Sequence, residues 1–169
     1  MFDGQRLLND QHVLVTLEDG TIEGIIPLAE AGADVQYHEG ILTPGLINCH
    51  CHLELSHLKD VIPPHTGLIE FLCSVVTKRG FDPAIIQQRI REAEKEMADN
   101  GIVAVGDIGN TADTAEVKSK SGIRWQNFVE VLSFTDEKSA DNFKHYSDVR
   151  DELEAKTKDN PVPHRSVLV

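Results

Sequence analysis

Two histidines separated by one residue, His50 and His52, are the side chains of this sequence with the clearest capacity for chemistry. They follow the apolar residues Leu46 and Ile47, which predict a buried β-strand with a polar end. Alternate side chains of a strand share one face, so the two imidazoles are expected to point the same way. Imidazole nitrogens at this spacing can ligate one metal ion, and a catalytic zinc usually takes three protein ligands and a water molecule. The spacing therefore predicts that His50 and His52 are two ligands of a metal site, which needs a third protein ligand.

Two other interpretations of this segment compete with a catalytic site. A His-x-His pair also arises by chance, but here it ends an apolar strand that follows Pro44 and a small β segment. A structural zinc site would instead combine Cys49 and Cys51 with the two histidines. Strand alternation separates thiols from imidazoles, and paired zinc cysteines usually have two to four residues between them. These arguments favour the histidines as the metal ligands.

Two acidic residues lie where apolar strands are predicted to end. Asp107 follows the continuous apolar run 102–105, and Glu130 lies within the strand predicted over 125–132. A buried acid is costly unless it is paired, which favours a role in a site. Catalytic residues of barrel enzymes lie at the C-terminal ends of strands. Asp107 and Glu130 are therefore candidate catalytic residues that would contact metal, water or substrate.

The segment after the histidines holds further candidates with competing interpretations. Glu54 and Phe71 are candidate substrate-binding residues, although a solvated loop acid and a core aromatic are the commoner roles for such positions. His57 and His65 are predicted to be surface histidines in this loop. Cys73 is predicted to pack in the core.

Residues 1–44 are predicted to form part of a small β domain. The apolar, β-branched runs 12–17 and 21–26 flank Asp19-Gly20, and this arrangement predicts a hairpin with a type I′ turn. Residues 35–37 are a candidate third strand.

Residues 45–169 alternate between strand and helix patterns, which predicts parallel pairing with right-handed crossovers. The expected fold class is α/β, with about four parallel strands forming the N-terminal half of a (β/α)8 barrel. An open flavodoxin-like sheet is the structural alternative, although no Gly-rich phosphate loop follows the first strand. The predicted strands are 46–52, 102–105, 125–132 and 166–169, and the predicted helices are 68–79, 83–99, 111–120 and 141–158.

The formal net charge of −12 argues against nucleic acid or an anionic membrane as a partner, because both would repel this chain. The sequence has no apolar stretch long enough to span a bilayer and no signal-peptide pattern at its start. Three cysteines without a framework spacing argue against a disulfide scaffold. A cytoplasmic protein is expected.

The stretch ILTPGLINCHCHLELS, residues 41–56, resembles the first-strand motif of the amidohydrolase superfamily, Pro-Gly-Leu-Ile-Asn-x-His-x-His-Leu. The stretch GLIEFL, residues 67–72, is similar to the loop and helix that follow in the deaminase and chlorohydrolase branch. The stretch GIVAVGD, residues 101–107, is similar to the second-strand segment of that branch. The Asp-Gly hairpin resembles half of the small β domain that flanks the barrel.

This resemblance implies that His50 and His52 ligate zinc, with iron or manganese as alternatives. A bound metal can lower the pKa of water from about 16 to about 7, producing a hydroxide that attacks an electrophilic carbon. The implied enzyme hydrolyses carbon–nitrogen bonds other than peptides in a small-molecule substrate, and deamination of an amino-heterocycle is the favoured reaction. Hydrolytic dechlorination and opening of a cyclic amide are the alternatives within the superfamily.

The superfamily pattern continues beyond the last residue of this sequence. The strand matching Ser166–Val169 is typically followed by a Pro-His segment that carries the next metal ligand. The chain is therefore expected to be an N-terminal part, with the other ligands and a Glu proton shuttle after Val169. Exposed sheet edges would favour a homo-oligomer. A non-catalytic fragment, or an open α/β binding module with a chance His-x-His, is the alternative function.

Overall fold

The computed structural model describes residues 1–133 and 135–169. The chain divides into two compact units, Met1–Gly45 and Leu46–Val169. We call them the N-terminal unit and the α/β unit. The assignment of residues 1–44 and 45–169 as functional domains stays a prediction.

The N-terminal unit contains an antiparallel hairpin of β1 (His12–Thr16) and β2 (Ile22–Pro27), followed by a 3₁₀ helix at Leu28–Glu30. The hairpin was expected at Asp19-Gly20, but the expected type I′ turn is wrong. Gly20 has a φ of +84°, whereas Asp19 keeps a negative φ. A type I turn followed by a left-handed glycine explains this, because it closes a three-residue loop with only one positive φ.

The predicted third strand at residues 35–37 is wrong, because the structure gives these residues no strand hydrogen bonding. Tyr37 is 80% exposed. So short a segment forms a strand only when a neighbouring strand pairs with its backbone.

The α/β unit is built on a four-stranded parallel sheet, as predicted, with the strands in chain order. A 3₁₀ helix at Leu53–Leu58 follows the first strand, and another lies at Asp136–Lys138. The strands are β3 (Leu46–Cys51), β4 (Ile102–Gly109), β5 (Arg124–Val129) and β6 (Arg165–Leu168). The helices are α1 (Leu68–Lys78), α2 (Pro83–Asp99), α3 (Ala115–Lys118) and α4 (Ser139–Thr157).

Helix α2 has the predicted bounds because its end signals are local. The Asp82 carboxylate accepts a hydrogen bond from the Ala84 backbone N–H at 2.8 Å, and Pro83 occupies the first turn. Gly101, with a φ of +76°, follows the last turn. Ile90 of this helix is completely buried.

Helices α2, α3 and α4 cover one face of the sheet. Ile90 of α2 packs with Val105 and Trp125 of the sheet, and Val129 of β5 packs with residues of α3 and α4. Helix α1 contributes no buried residue, so the prediction that Cys73 packs in the core is wrong. Among the described residues, no helix has the length and apolarity needed to cross a bilayer.

His164 gives the α/β unit a predictable pH dependence. Its Nδ1 accepts a hydrogen bond from the Trp125 backbone N–H at 3.2 Å. Burial and the positive charge of Lys118 lower the His164 pKa below its ordinary value of 6.5. The unfolded chain then binds a proton more readily than the folded unit does. The free energy of unfolding should therefore show no loss from His164 above pH 6.5. It should decrease as the pH falls from 6.5 towards the lowered pKa of His164.

Urea unfolding between pH 7.5 and pH 5.5 measures this dependence. A His164→Asn variant retains a side-chain acceptor and does not titrate, so its unfolding midpoint should fall less over this range. Equal losses in the parent and the variant would show that His164 does not cause the decline.

Candidate metal centre

His50 and His52 lie together at the C-terminal end of β3. Their ring centroids are 5.1 Å apart with an interplanar angle of 72°, and both side chains are exposed. Asn48 pairs with Val105 and Cys51 pairs with Asp107, so the register is irregular at the histidines. An irregularity of this kind redirects side chains at a strand end. Both imidazoles are therefore adjacent and open to solvent.

Cys49 and Cys51 do not join the histidines in a structural zinc site. Cys51 packs against the core beneath the sheet, and Cys49 is exposed. Burial, with the nearby Asp107 carboxylate, raises the pKa of Cys51 to about 12, so the thiol stays protonated at neutral pH. In residues 1–133 and 135–169, no three His, Cys, Asp or Glu side chains are grouped so that they could hold one ion.

A cavity of about 810 Å³ opens beside His52. The loop after β3 and helix α1 supply its walls, which are mainly apolar. Phe71, a candidate substrate-binding residue, lines this cavity and is 44% exposed. His65 also lines it and is exposed, as predicted for a surface histidine. Other apolar lining residues are Leu55, Leu58, Ile62 and Val75.

Glu54 is buried, so the prediction of a solvated loop acid is wrong. Its Oε2 accepts hydrogen bonds from the Asn110 N–H at 3.0 Å, the Thr111 N–H at 2.8 Å and the Thr111 hydroxyl at 2.7 Å. Its Oε1 accepts a hydrogen bond from the Arg79 guanidinium at 3.2 Å. A Cβ on Gly109 would lie 3.0 Å from Oε2, so glycine allows this approach. Both carboxylate oxygens are occupied by protein donors, which argues against the predicted role of Glu54 in substrate binding.

His57 is also buried, so the prediction of a surface histidine is wrong. Its Nδ1 lies 3.1 Å from the Glu54 carbonyl oxygen, and its Nε2 lies 3.1 Å from the Arg79 carbonyl oxygen. Its ring makes an edge contact with Phe81, at 5.1 Å between centroids. His57 therefore joins the loop after β3 to the residues that follow α1.

Asp107 is buried on the helix-covered face of the sheet, as is Val105 two residues earlier. Its Oδ1 accepts a hydrogen bond from the Leu53 N–H at 2.8 Å, and its Oδ2 accepts one from the Lys118 ammonium at 2.5 Å. Both carboxylate oxygens therefore accept hydrogen bonds from the protein, which argues against direct contact between Asp107 and a metal held by the histidines. The buried acid has a buried cation as its partner.

Glu130 stays a candidate catalytic residue. It follows β5 directly, and its N–H bonds to the Gly109 carbonyl at 2.9 Å. Asn127 and Val129 face the helices, so strand alternation places Glu130 on the opposite face. The side chain is half-buried.

The sequence interpretation missed Lys118, Arg79 and Asn127. Lys118 is 1% exposed and donates to Asn127 Oδ1 at 2.6 Å as well as to Asp107. The one available signal was indirect, because a buried Asp107 requires a buried cation or several donors. Nothing in the spacing of the sequence identified which lysine would supply it.

A parallel β/α unit with polar side chains at the C-terminal ends of its strands is the arrangement found in (β/α)8 barrels. Residues 41–162 match the model of the amidohydrolase family, so the chain belongs to this family. No curated protein sequence matches the chain significantly.

Solved structures confirm the fold as part of a (β/α)8 barrel. An adenosine deaminase from Xanthomonas campestris with bound zinc aligns with a TM-score of 0.65 at 21% identity over 94% of this chain and 37% of its own. A guanine deaminase from C. acetobutylicum with guanine in its active site gives a TM-score of 0.68 at 18% identity over 92% of this chain and 40% of its own.

An aminofutalosine deaminase from Helicobacter pylori, in complex with methylthio-coformycin, gives a TM-score of 0.58 at 25% identity. The alignment covers 74% of this chain and 29% of that protein. The chain thus spans 29% to 40% of the length of these three structures.

Proposed function

We propose that this chain forms part of a metal-dependent hydrolase that cleaves a carbon–nitrogen bond other than a peptide bond. Hydrolytic deamination of an amino-heterocycle is the proposed reaction. The observation that carries the proposal is the exposed His50–His52 pair beside an apolar cavity at a strand end. Family membership and similarity to deaminases that bind guanine or methylthio-coformycin support it.

The histidine pair fits a divalent metal as two ligands of an incomplete set. Both rings are exposed and adjacent, and imidazole suits zinc, with iron or manganese as alternatives. A third protein ligand is required in addition to this pair. A bound ion would supply Lewis acidity and a water of lowered pKa.

The residues of this chain would bind and orient the substrate. The apolar walls near Phe71 suit the faces of a flat heterocycle and exclude water from it. Glu130 is proposed to contact water or substrate, because it lies at the same end of the sheet on the face opposite the helices.

Metal content tests the ligand assignment. A His50→Ala/His52→Ala variant should lose zinc to background in inductively coupled plasma analysis, because it lacks both proposed imidazole ligands. A His38→Ala/His145→Ala variant removes two exposed histidines elsewhere and should keep the parent zinc content. If the first variant kept full zinc, the ligand assignment would be wrong.

Product analysis tests the reaction, using the protein encoded by the whole gene and loaded with zinc. Ammonia release from amino-purines or amino-pyrimidines supports deamination. Chloride release from chlorinated heterocycles would instead indicate hydrolytic dechlorination. Ring opening of cyclic amides would indicate a cyclic amidase, and either result would show that the proposed deamination is wrong. Zinc binding without turnover of any of these compounds would favour a binding module or a non-catalytic fragment.

A further inference from the structure

A buried polar chain lies behind the histidine pair and ends on the residue next to His52. The Asp107 carboxylate accepts a hydrogen bond from the Leu53 backbone N–H at 2.8 Å, and Leu53 follows His52 directly in the sequence. Asp107 and Leu53 are 4% and 1% exposed, so this hydrogen bond is shielded from water.

The backbone at His52 lies between two regular elements. Strand β3 ends at Cys51, and the 3₁₀ helix begins at Leu53. His52 has a φ of −127° and a ψ of 74° and lies outside both. The Leu53 N–H is the first donor of that short helix, so it has no partner within the helix. The Asp107 carboxylate supplies the missing acceptor.

Asp107 is linked through the Lys118 ammonium to side chains of the next two strands. Lys118 of α3 donates to Asp107 at 2.5 Å and to Asn127 of β5 at 2.6 Å, with its Nζ 4.9 Å from the centre of the Trp125 ring. Asn127 in turn donates to the Ser166 hydroxyl of β6 at 3.1 Å. The acceptor for Leu53 is therefore part of a hydrogen-bonded chain that reaches β5 and β6.

We infer that Asp107 is a positioning residue for the metal-binding pair: it fixes the backbone after His52 and thereby aims the His52 imidazole. This inference rests on the proposed metal site and adds a residue that touches neither metal nor substrate. Outer groups that orient metal ligands typically change metal affinity by about 10- to 100-fold when they are removed.

Two double variants distinguish a role of Asp107 in positioning His52 from a role in the stability of the fold alone. Both remove the buried charges. Asp107→Asn/Lys118→Met keeps a carbonyl oxygen for the Leu53 N–H, whereas Asp107→Leu/Lys118→Met removes it. Zinc affinity is measured by competition with a chromophoric chelator, and urea unfolding is measured alongside. We expect the leucine variant to bind zinc about 10-fold more weakly or worse, and the asparagine variant to stay within about 3-fold of the parent.

Equal zinc affinity in the two variants, whether preserved or lost, would overturn the inference. Amide hydrogen exchange in the metal-free parent gives a second test that needs no substitution. The Leu53 amide should exchange as slowly as the Val105 amide in the core, and rapid exchange would also overturn the inference. Failure of the proposed function looks different, because zinc would then remain after His50→Ala/His52→Ala or no ammonia would be released.

Discussion

Replacing Lys118 with methionine is expected to lower the free energy of unfolding of the α/β unit by about 3–5 kcal/mol, the usual cost of breaking a buried ion pair. The substitution leaves the Asp107 carboxylate buried without its cation and removes the donor to Asn127 Oδ1. Methionine has a similar volume, so packing changes contribute little. Trp125 is the single tryptophan, so its fluorescence in a urea titration reports this unfolding.

Two further variants test whether the loss of stability in Lys118→Met comes from breaking the buried ion pair. Asp107→Leu/Lys118→Met replaces the pair with apolar side chains and should recover part of the lost stability, because hydrophobic replacement of a whole buried pair is often tolerated. Lys120→Met changes an exposed lysine nearby and should leave the unfolding midpoint almost unchanged. If Lys118→Met were as stable as the parent, the buried ion pair would not contribute to folding.

The order of strands and helices could be predicted from the sequence because its signals are local. Asp82, Pro83 and Gly101 determine where α2 begins and ends, and all three lie within a few residues of it. The apolar run 102–105 likewise predicted β4 without knowledge of its neighbours. The failures at Asp19-Gly20 and residues 35–37 came from backbone geometry and from strand pairing, neither of which apolar patterning specifies.

The surroundings of the site depend on contacts between residues far apart in sequence. Glu54 bonds to Thr111 across 57 residues, and Leu53 bonds to Asp107 across 54. Side-chain type and spacing were enough to predict that His50 and His52 lie together, because the two residues are only two positions apart in the sequence. They could not show that Glu54 and Asp107 are already occupied by partners, since those partners come from other elements.

Replacing Glu54 with alanine is expected to lower the free energy of unfolding by about 3 kcal/mol, because buried donors lose a charged acceptor. The backbone N–H groups of Asn110 and Thr111 lose their shared oxygen, and the Arg79 guanidinium loses its carboxylate. Urea unfolding followed by Trp125 fluorescence measures the loss. Glu96→Ala removes an exposed glutamate and should change stability little.

The same substitution should also loosen helix α1, because this helix buries no residue of its own. Its C-terminal end is held through Arg79, whose guanidinium bonds to Glu54 and Asn110 and whose carbonyl oxygen meets His57. Tryptic cleavage after Arg79 should therefore be faster in Glu54→Ala, while cleavage after the exposed Lys120 should not change. Equal acceleration at both sites would indicate global unfolding instead. Helix α1 lines the cavity beside His52, so selective loosening would show that Glu54 supports the pocket without touching its contents.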